Sequence, residues 1–508
     1  MVQKGEARDV VKMVPEYFTT SFNPSGNHWI PFCGSSSNSG TLRYPRVFTD
    51  PSKSTTQWIV GTTSSNQFLL QTNNDQVERL YFPSAASPPE SPMNTTLDGS
   101  FASDRPLVAL WSTGGNNDPM DDDGVPLVPL QNLPNTSPYS SAVPLPNGRG
   151  LLWVDNGGTN SVLRYQQDNS SSEVVLETID RPLWDGTITY SAANEQWAIF
   201  HGMTNQRYTH GALGDRYEGY KLSVLEWKTP ADTGGSYLDV VWTVTLEGSS
   251  AVYEGMAPMW ADVNNDGIDD LLTTVATTGE GAQLRAYLLE AATTNSTTPH
   301  AGARFQVANE VQSSWIGTGN RWLHQLGVGP FGPNGETEIV QVRMPHLLAE
   351  VRYHALSADA STLEEVYRHQ GEQLSTHGYG DRNLDTVAIG DFNNDGIPEL
   401  VLQDFFSTSV IGLQRRVGGA EKVWCVDIPG AITSNIAAVC PLQTSATSND
   451  VDTVAQVLFS TRNELVRLQF GDIQGQTSGC CSKAHFAVSH QWWAIAFFSA
   501  IFWNFYRW

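Results

Sequence analysis

The sequence predicts an all-β protein assembled from repeated strand–loop–strand units. Three observations predict it. A nine-residue pattern, D-x-N-x-D-G-x-x-[DE], occurs twice, opening at Asp262 and at Asp391. A third stretch, opening at Pro330, shares the same framework and sets the repeat starts 68 and 61 residues apart. Gly, Ser, Thr, Asn and Trp are abundant, as turn-rich strands require, and the one helix-like stretch, Leu363–Val366, is too short to count.

Residues 1–40 carry no apolar run and turn Gly/Ser-rich toward Cys33–Gly40; they read as a lead-in that supplies a strand to close the array. Residues 41–472 hold the repeats. That span divided by the spacing gives about seven units, each long enough for four strands of about five or six residues with turns. Strand-like runs fall where further units belong, at Gln57–Val60, Leu151–Val154, Gln196–Phe200 and Val454–Phe459. Residues 83–148 are rich in Pro, Ser and Asn and read as long surface insertions into the early units. Residues 473–508 form a linker and an apolar tail. From Ala484 to Tyr506 the tail has no Asp, Glu, Lys or Arg and runs through Trp492–Phe498 and Ile501–Trp503. Such a run suits a membrane attachment with Trp at the interfaces, or a hydrophobic tail without fixed structure. Palmitoylation of Cys480 or Cys481 would accompany only the first.

The two matching segments carry the chemistry. In the first, Asp262, Asn264 and Asp266 offer side-chain oxygens at alternate positions. Gly267 permits the sharp turn, the carbonyl of Ile268 turns inward, and Asp270 closes the shell. The second repeats this with Asp391, Asn393, Asp395, Gly396, the carbonyl of Ile397, and Glu399. The carboxylates gathered in each loop repel one another without a cation, and all-oxygen donors suit a hard divalent ion, calcium first, so two Ca2+ sites are expected. An EF-hand needs a bidentate Glu at loop position twelve, where this chain has Thr273 and Leu402. Leu271–Val275 and Leu400–Leu402 follow the loops and Val387–Ile389 precedes the second; all are strand-like, so each loop connects a hairpin.

These residues resemble the FG-GAP/VCBS repeat, as in the integrin α chain. The resemblance implies a β-propeller, a ring of four-stranded blades with calcium in the hairpin loops of some of them. The third copy agrees. Leu326–Phe331, Gly335 and Glu338–Val340 match the framework of Val387–Phe392, Gly396 and Glu399–Val401. Pro330, Gly332 and Asn334 replace three of the ligands, so this copy keeps its hairpin without an ion. Asp121–Gly124 has no acids at the ends of the template and reads as a solvated acidic loop. The expected architecture is an all-β, seven-bladed propeller with loop insertions and a hydrophobic C-terminal tail.

Twenty-nine Lys and Arg against 53 Asp and Glu give a net charge of −24. No basic stripe exists to neutralise phosphates, which excludes nucleic acid as a partner class. Calcium loops and four N-x-[ST] sequons, at Asn94, Asn135, Asn169 and Asn295, point to the extracellular or secretory-lumen side. Met1–Glu6 lacks the apolar segment of a signal peptide, which points the other way. Five cysteines make no dense disulfide framework; Cys425 and Cys440 either pair across neighbouring strands or remain thiols.

No nucleophile elbow, zinc-protease, P-loop or dinucleotide motif occurs. Histidines and arginines recur near unit starts: Arg321, His324, His346, His377 and Arg382. In a propeller they would ring the axial channel and bind an anionic or metal ligand; the plainer reading is hydrogen-bonded loop residues. Three functions follow. The first is a monomeric binding or adhesion platform for protein or glycan, stabilised by calcium. The second is a lectin, which requires exposed aromatics between blades; Trp153, Trp197, Trp242 and Trp260 recur but also suit blade cores. The third is a polysaccharide-active enzyme working at the axial mouth, for which the sequence names no acid–base pair. The first ranks ahead of the others.

Overall fold

The computed structural model describes residues 187–441, apart from gaps at 192, 209–216, 229–236, 293–302, 320–322, 345–348, 372, 378–386, 393–395, 429 and 433, together with the strands outside that span. Two strands come before the first complete sheet, β1 (Phe18–Thr19) and β2 (Tyr44–Asp50). The first blade is β3 (Thr56–Gly61), β4 (Gln67–Thr72), β5 (Leu107–Ser112) and β6 (Val128–Pro129). The second is β7 (Val143–Pro144), β8 (Gly150–Asp155), β9 (Ser161–Gln167) and β10 (Ser170–Glu177). The third is β11 (Thr189–Ser191), β12 (Gln196–His201), β13 (Lys221–Lys228) and β14 (Tyr237–Thr245). The fourth is β15 (Ala251–Ala261), β16 (Asp270–Thr277), β17 (Gly281–Ala291) and β18 (Phe305–Ser313). The fifth is β19 (Leu323–Gly329), β20 (Glu338–Arg343), β21 (Glu350–Leu356) and β22 (Thr362–Gln370).

In the sixth blade β23 (Leu374–Ser375) and β24 (Ala388–Gly390) share the inner edge of β25 (Glu399–Asp404), followed by β26 (Ser409–Arg416) and β27 (Gly419–Asp427). The seventh is β28 (Ala437–Pro441), β29 (Gln456–Ser460) and β30 (Leu465–Gly471), and β2 completes it by pairing with β30. The strand that closes the ring is therefore Tyr44–Asp50, just beyond the expected lead-in; Phe18–Thr19 adds a short pairing on β28.

Within each blade the strands run as an antiparallel meander. The inner strands β11, β15, β19, β24, β28 and β3 are neighbours in that order, so successive sheets stand around one centre. The described strands thus form a seven-bladed β-propeller. No helix forms among the described residues, and Leu363–Val366 lies within β22.

The blades cohere through apolar clusters between them. Ala198, Phe200, Leu222 and Val224 of the third blade meet Tyr253, Trp260, Leu271 and Tyr287 of the fourth. Leu272, Leu284 and Val311 meet Val328, Ile339 and Leu363 of the fifth. Val340, Val351 and Tyr353 meet Ile389, Leu400 and Ile411 of the sixth. A strand covered on both faces needs no polar alternation, and Gln196–His201 is buried throughout. Trp153, Trp197, Trp242 and Trp260 are all buried, which makes them blade core and withdraws them as lectin aromatics.

Cys425 lies on β27 of the sixth blade, where its register partner is Ile411, and Cys440 lies on β28 of the seventh, opposite Thr19. The two strands belong to different sheets. The apolar tail, the four sequons, Asp121–Gly124 and Cys480–Cys481 fall outside the described residues.

Candidate functional site

The first acidic loop joins β15 to β16, the two innermost strands of the fourth blade. Asp262 accepts hydrogen bonds from the backbone of Asp266 (3.0 Å) and Gly267 (2.9 Å). The Asn264 carbonyl oxygen accepts from the same Asp266 N–H at 3.1 Å, and its amide donates to the Asp266 carboxylate at 2.9 Å. Asp266 in turn accepts from Ile268 N at 2.8 Å. Oxygens of three side chains therefore crowd one short turn. Asn265 and Gly267 both hold left-handed backbone, with φ of 60° and 86°, and this tightens the turn.

Asp270 has a second duty that its position in the motif did not reveal. It is buried, and its two oxygens accept from Val263 N at 3.1 Å and Leu289 N at 2.8 Å, tying loop to sheet. Its carboxyl is raised to about 7: burial pushes it up most, the two backbone hydrogen bonds pull it down, and the charges of Asp266 and Asp262 add to the rise. A crowded, all-oxygen set under like-charge repulsion fits a hard divalent cation. Asp262, Asn264 and Asp266 are the donors nearest one another. Among the described residues no three His, Cys, Asp or Glu side chains gather as a ready-made metal cage.

The second loop joins β24 to β25 in the sixth blade, the same place in its sheet. Asp391 accepts from Gly396 N at 2.9 Å, as Asp262 does from Gly267, and Gly396 has the same φ of 86°. Glu399, the counterpart of Asp270, accepts from Phe392 N at 2.7 Å, as Asp270 does from Val263. The carbonyl of Ile397 accepts from Gln414 Nε2 at 3.0 Å. Asn393 and Asp395 lie outside the described residues.

The degenerate loop of the fifth blade keeps the hairpin, with Gly335 at φ 83°. The one acid left at a position of the nine-residue pattern, Glu338, meets a guanidinium. Arg415, from β26 of the sixth blade, donates Nε to Oε2 at 3.0 Å and Nη2 to Oε1 at 3.2 Å. Both partners are buried, and the guanidinium stacks 4.3 Å from the Tyr367 ring centre. A built-in cation thus faces the acid in the copy that lost its oxygen ligands.

The loop of the fourth blade is also clasped by its neighbours. Ser191 Oγ donates to Asp269 at 2.6 Å, Asn194 Nδ2 donates to the Asp269 carbonyl at 2.8 Å, and Asp269 N donates back to Asn194 Oδ1 at 3.1 Å. On the other side, Thr337 Oγ1 donates to Asn265 Oδ1 at 2.9 Å. The hairpin loops of the third, fourth and fifth blades form one hydrogen-bonded rim.

Two of the five residues expected to ring the channel come together. His324 on β19 and His377 after β23 are buried, with ring centres 5.9 Å apart, and Thr376 Oγ1 lies 2.9 Å from His377 Nδ1. Arg321, His346 and Arg382 lie outside the described residues. Glu254, which sequence reasoning missed, takes the corresponding place one blade earlier. It pairs in register with Thr274, four residues past Asp270, as His324 pairs with Val342, four past Glu338. A bulge between Glu254 and Met259 hides this equivalence from simple spacing.

No protein-family model matches the sequence, and no curated protein matches it. Among solved structures the chain is similar to the WD40 domain of coronin from Toxoplasma gondii, at 9% identity over 89% of this chain and 90% of that one, with a TM-score of 0.41. It is also similar to a Lactobacillus plantarum protein, at 10% identity over 74% of this chain and 97% of that one, with a TM-score of 0.36. The class of protein, a seven-bladed β-propeller, rests on the strand order given above.

Proposed function

We propose that the chain is a calcium-stabilised propeller of FG-GAP/VCBS type that serves as a binding platform for protein or glycan on the extracellular or lumenal side. The observation that supports it is the shared placement of the two acid-rich loops. Each connects the innermost strands of its blade, turns on a glycine with φ of 86°, and has a first Asp that accepts from that glycine's N–H. Asp262, Asn264 and Asp266 would hold one ion. Asp391 with Asn393, Asp395, Ile397 and Glu399 would hold the other. When bound, calcium supplies positive charge that offsets the carboxylates. The chain's own residues carry that rigidity outward, through Asn194 on one side and Thr337 on the other. A stiff rim presented by a rigid ring is what a docking partner needs, because little loop ordering remains to oppose binding.

Melting with millimolar calcium and with excess chelator tests the ion. A ligand at a hundred times its Kd stabilises by about 2.7 kcal/mol, so calcium should raise the melting temperature. Asp262→Ala and Asp391→Ala should each remove part of that rise and leave a folded chain, since blades lean mainly on their neighbours. Identical melting in calcium and chelator defeats the ion reading. A glycan array and a pull-down on the calcium-loaded chain then separate the two partner classes.

A further inference from the structure

His354 sits where the fourth and fifth blades are joined at their outer strands. There β18 and β22 pair in parallel through Gln312 with Thr362 and Ser313 with Leu363. On the neighbouring strand, Leu356 lies opposite Leu363, and His354 lies opposite Glu365 and Ile339. Ile339 and Leu363 pack with Leu272, Ala286, Leu288 and Val311 of the fourth blade, so the side facing His354 across the seam is apolar. His354 is 1% exposed, and neither ring nitrogen has a hydrogen-bond partner. An imidazole without partners is a costly choice for a seam that a leucine would fill better.

Charge is close at hand. Glu365 on β22 lies across from the ring and is held by Arg352 and Arg368. Arg352 also binds Glu350, and Arg343 on β20 reaches Glu350 from the far side. We propose that His354 is an acid-operated latch on the seam between the fourth and fifth blades. In its neutral form the ring fills the seam. Once protonated it carries a charge into an apolar contact, competes with Arg352 and Arg368 for Glu365, and parts β18 from β22.

The direction of the effect follows from the surroundings. Burial depresses the imidazole, Glu365 pulls it up, and Arg352 and Arg368 push it down, leaving it at about 4 against 6.5 when free. Between those values the unfolded or opened chain binds more protons than the closed one. The stability that His354 permits is therefore complete above about pH 6.5 and is lost as pH falls toward 4.

The test compares the full chain with His354→Phe and His354→Gln, by urea midpoint and by hydrogen exchange corrected for intrinsic rate. From pH 6.5 to pH 4.5 the wild-type folding constant should fall about 40-fold more than that of either variant. Exchange in Phe305–Ser313 and Thr362–Gln370 should rise on acidification in the wild type and stay lower in the variants. If Phe is too large for the site, Gln carries the same comparison. An equal acid response in wild type and variants, or exchange rising evenly in every blade, overturns the latch.

Discussion

The buried pair of Glu338 and Arg415 spans the fifth and sixth blades, and its removal is the most exacting check on this architecture. The two hydrogen bonds, at 3.0 and 3.2 Å, place opposite charges about 4 Å apart. At an effective dielectric of about 20 that attraction is about 4 kcal/mol. Against it stands the desolvation of two ions, several kcal/mol each. The Glu338 carboxyl reports the balance: burial pushes it up, the Arg415 bond and charge pull it down, and it remains raised. The pair is therefore close to neutral for stability, while either ion alone is expensive. Glu338→Gln and Arg415→Met should each cost about 3–5 kcal/mol, and the double variant should return to within about 1.5 kcal/mol of wild type. pH separates the two single changes. In Arg415→Met the lone Glu338 carboxyl has a folded value above its unfolded one, so that variant is most stable at low pH and loses stability as pH rises through the raised value. The Glu338→Gln variant has no carboxyl there to titrate, so its own stability lacks this dependence. Urea midpoints by tryptophan fluorescence, from pH 5 to pH 8, measure both. Single variants costing under about 1 kcal/mol, or costs that simply add in the double, refute the reasoning.

Two further predictions concern backbone contacts that side-chain chemistry does not show. Gly281 has φ of 95°, and a Cβ there would overlap the carbonyl oxygen of Ile316, which accepts from Ala282 N at 3.2 Å. Gly281→Ala should cost about 2–4 kcal/mol through strain and the loss of that bridge, read as a fall in melting temperature; an unchanged melt contradicts the close approach. Asn194→Ala should cost about 1–2 kcal/mol, since it strands the Asp269 N–H and carbonyl beneath the rim, and exchange at Asp269 should speed up. If Asn194→Ala leaves that amide protected, the rim is not clasped from the third blade.

The parts of this molecule that sequence reveals are those whose geometry is local. The Asp-Asn-Asp-Gly spacing states a tight turn because one residue's oxygen reaches amides four and five positions on, and Asp262 with Asp266 and Gly267 does so. Gly335 showed a surviving hairpin even where the ligands had gone, because only the left-handed backbone was needed. Strand runs such as Gln196–Phe200 were legible from apolar content alone. What stayed hidden depends on which strand meets which across the ring. Nothing near Glu338 in the chain announces Arg415, 77 residues later, as its counter-ion. Nothing near Asp269 announces Asn194. The closing strand β2 finds its partner, β30, at the other end of the repeats, so no local pattern marks the closure. Glu254 escaped because a bulge shifts its position relative to the loop that follows. These contacts share one cause. A ring of meanders repeats its local hairpins faithfully, whereas each seam between blades is solved separately, by hydroxyls and an amide in one place, a guanidinium in another and an unpartnered imidazole in a third. Function that varies from one propeller to the next is free to vary at those seams without disturbing the blade. The same freedom keeps it out of reach of a motif.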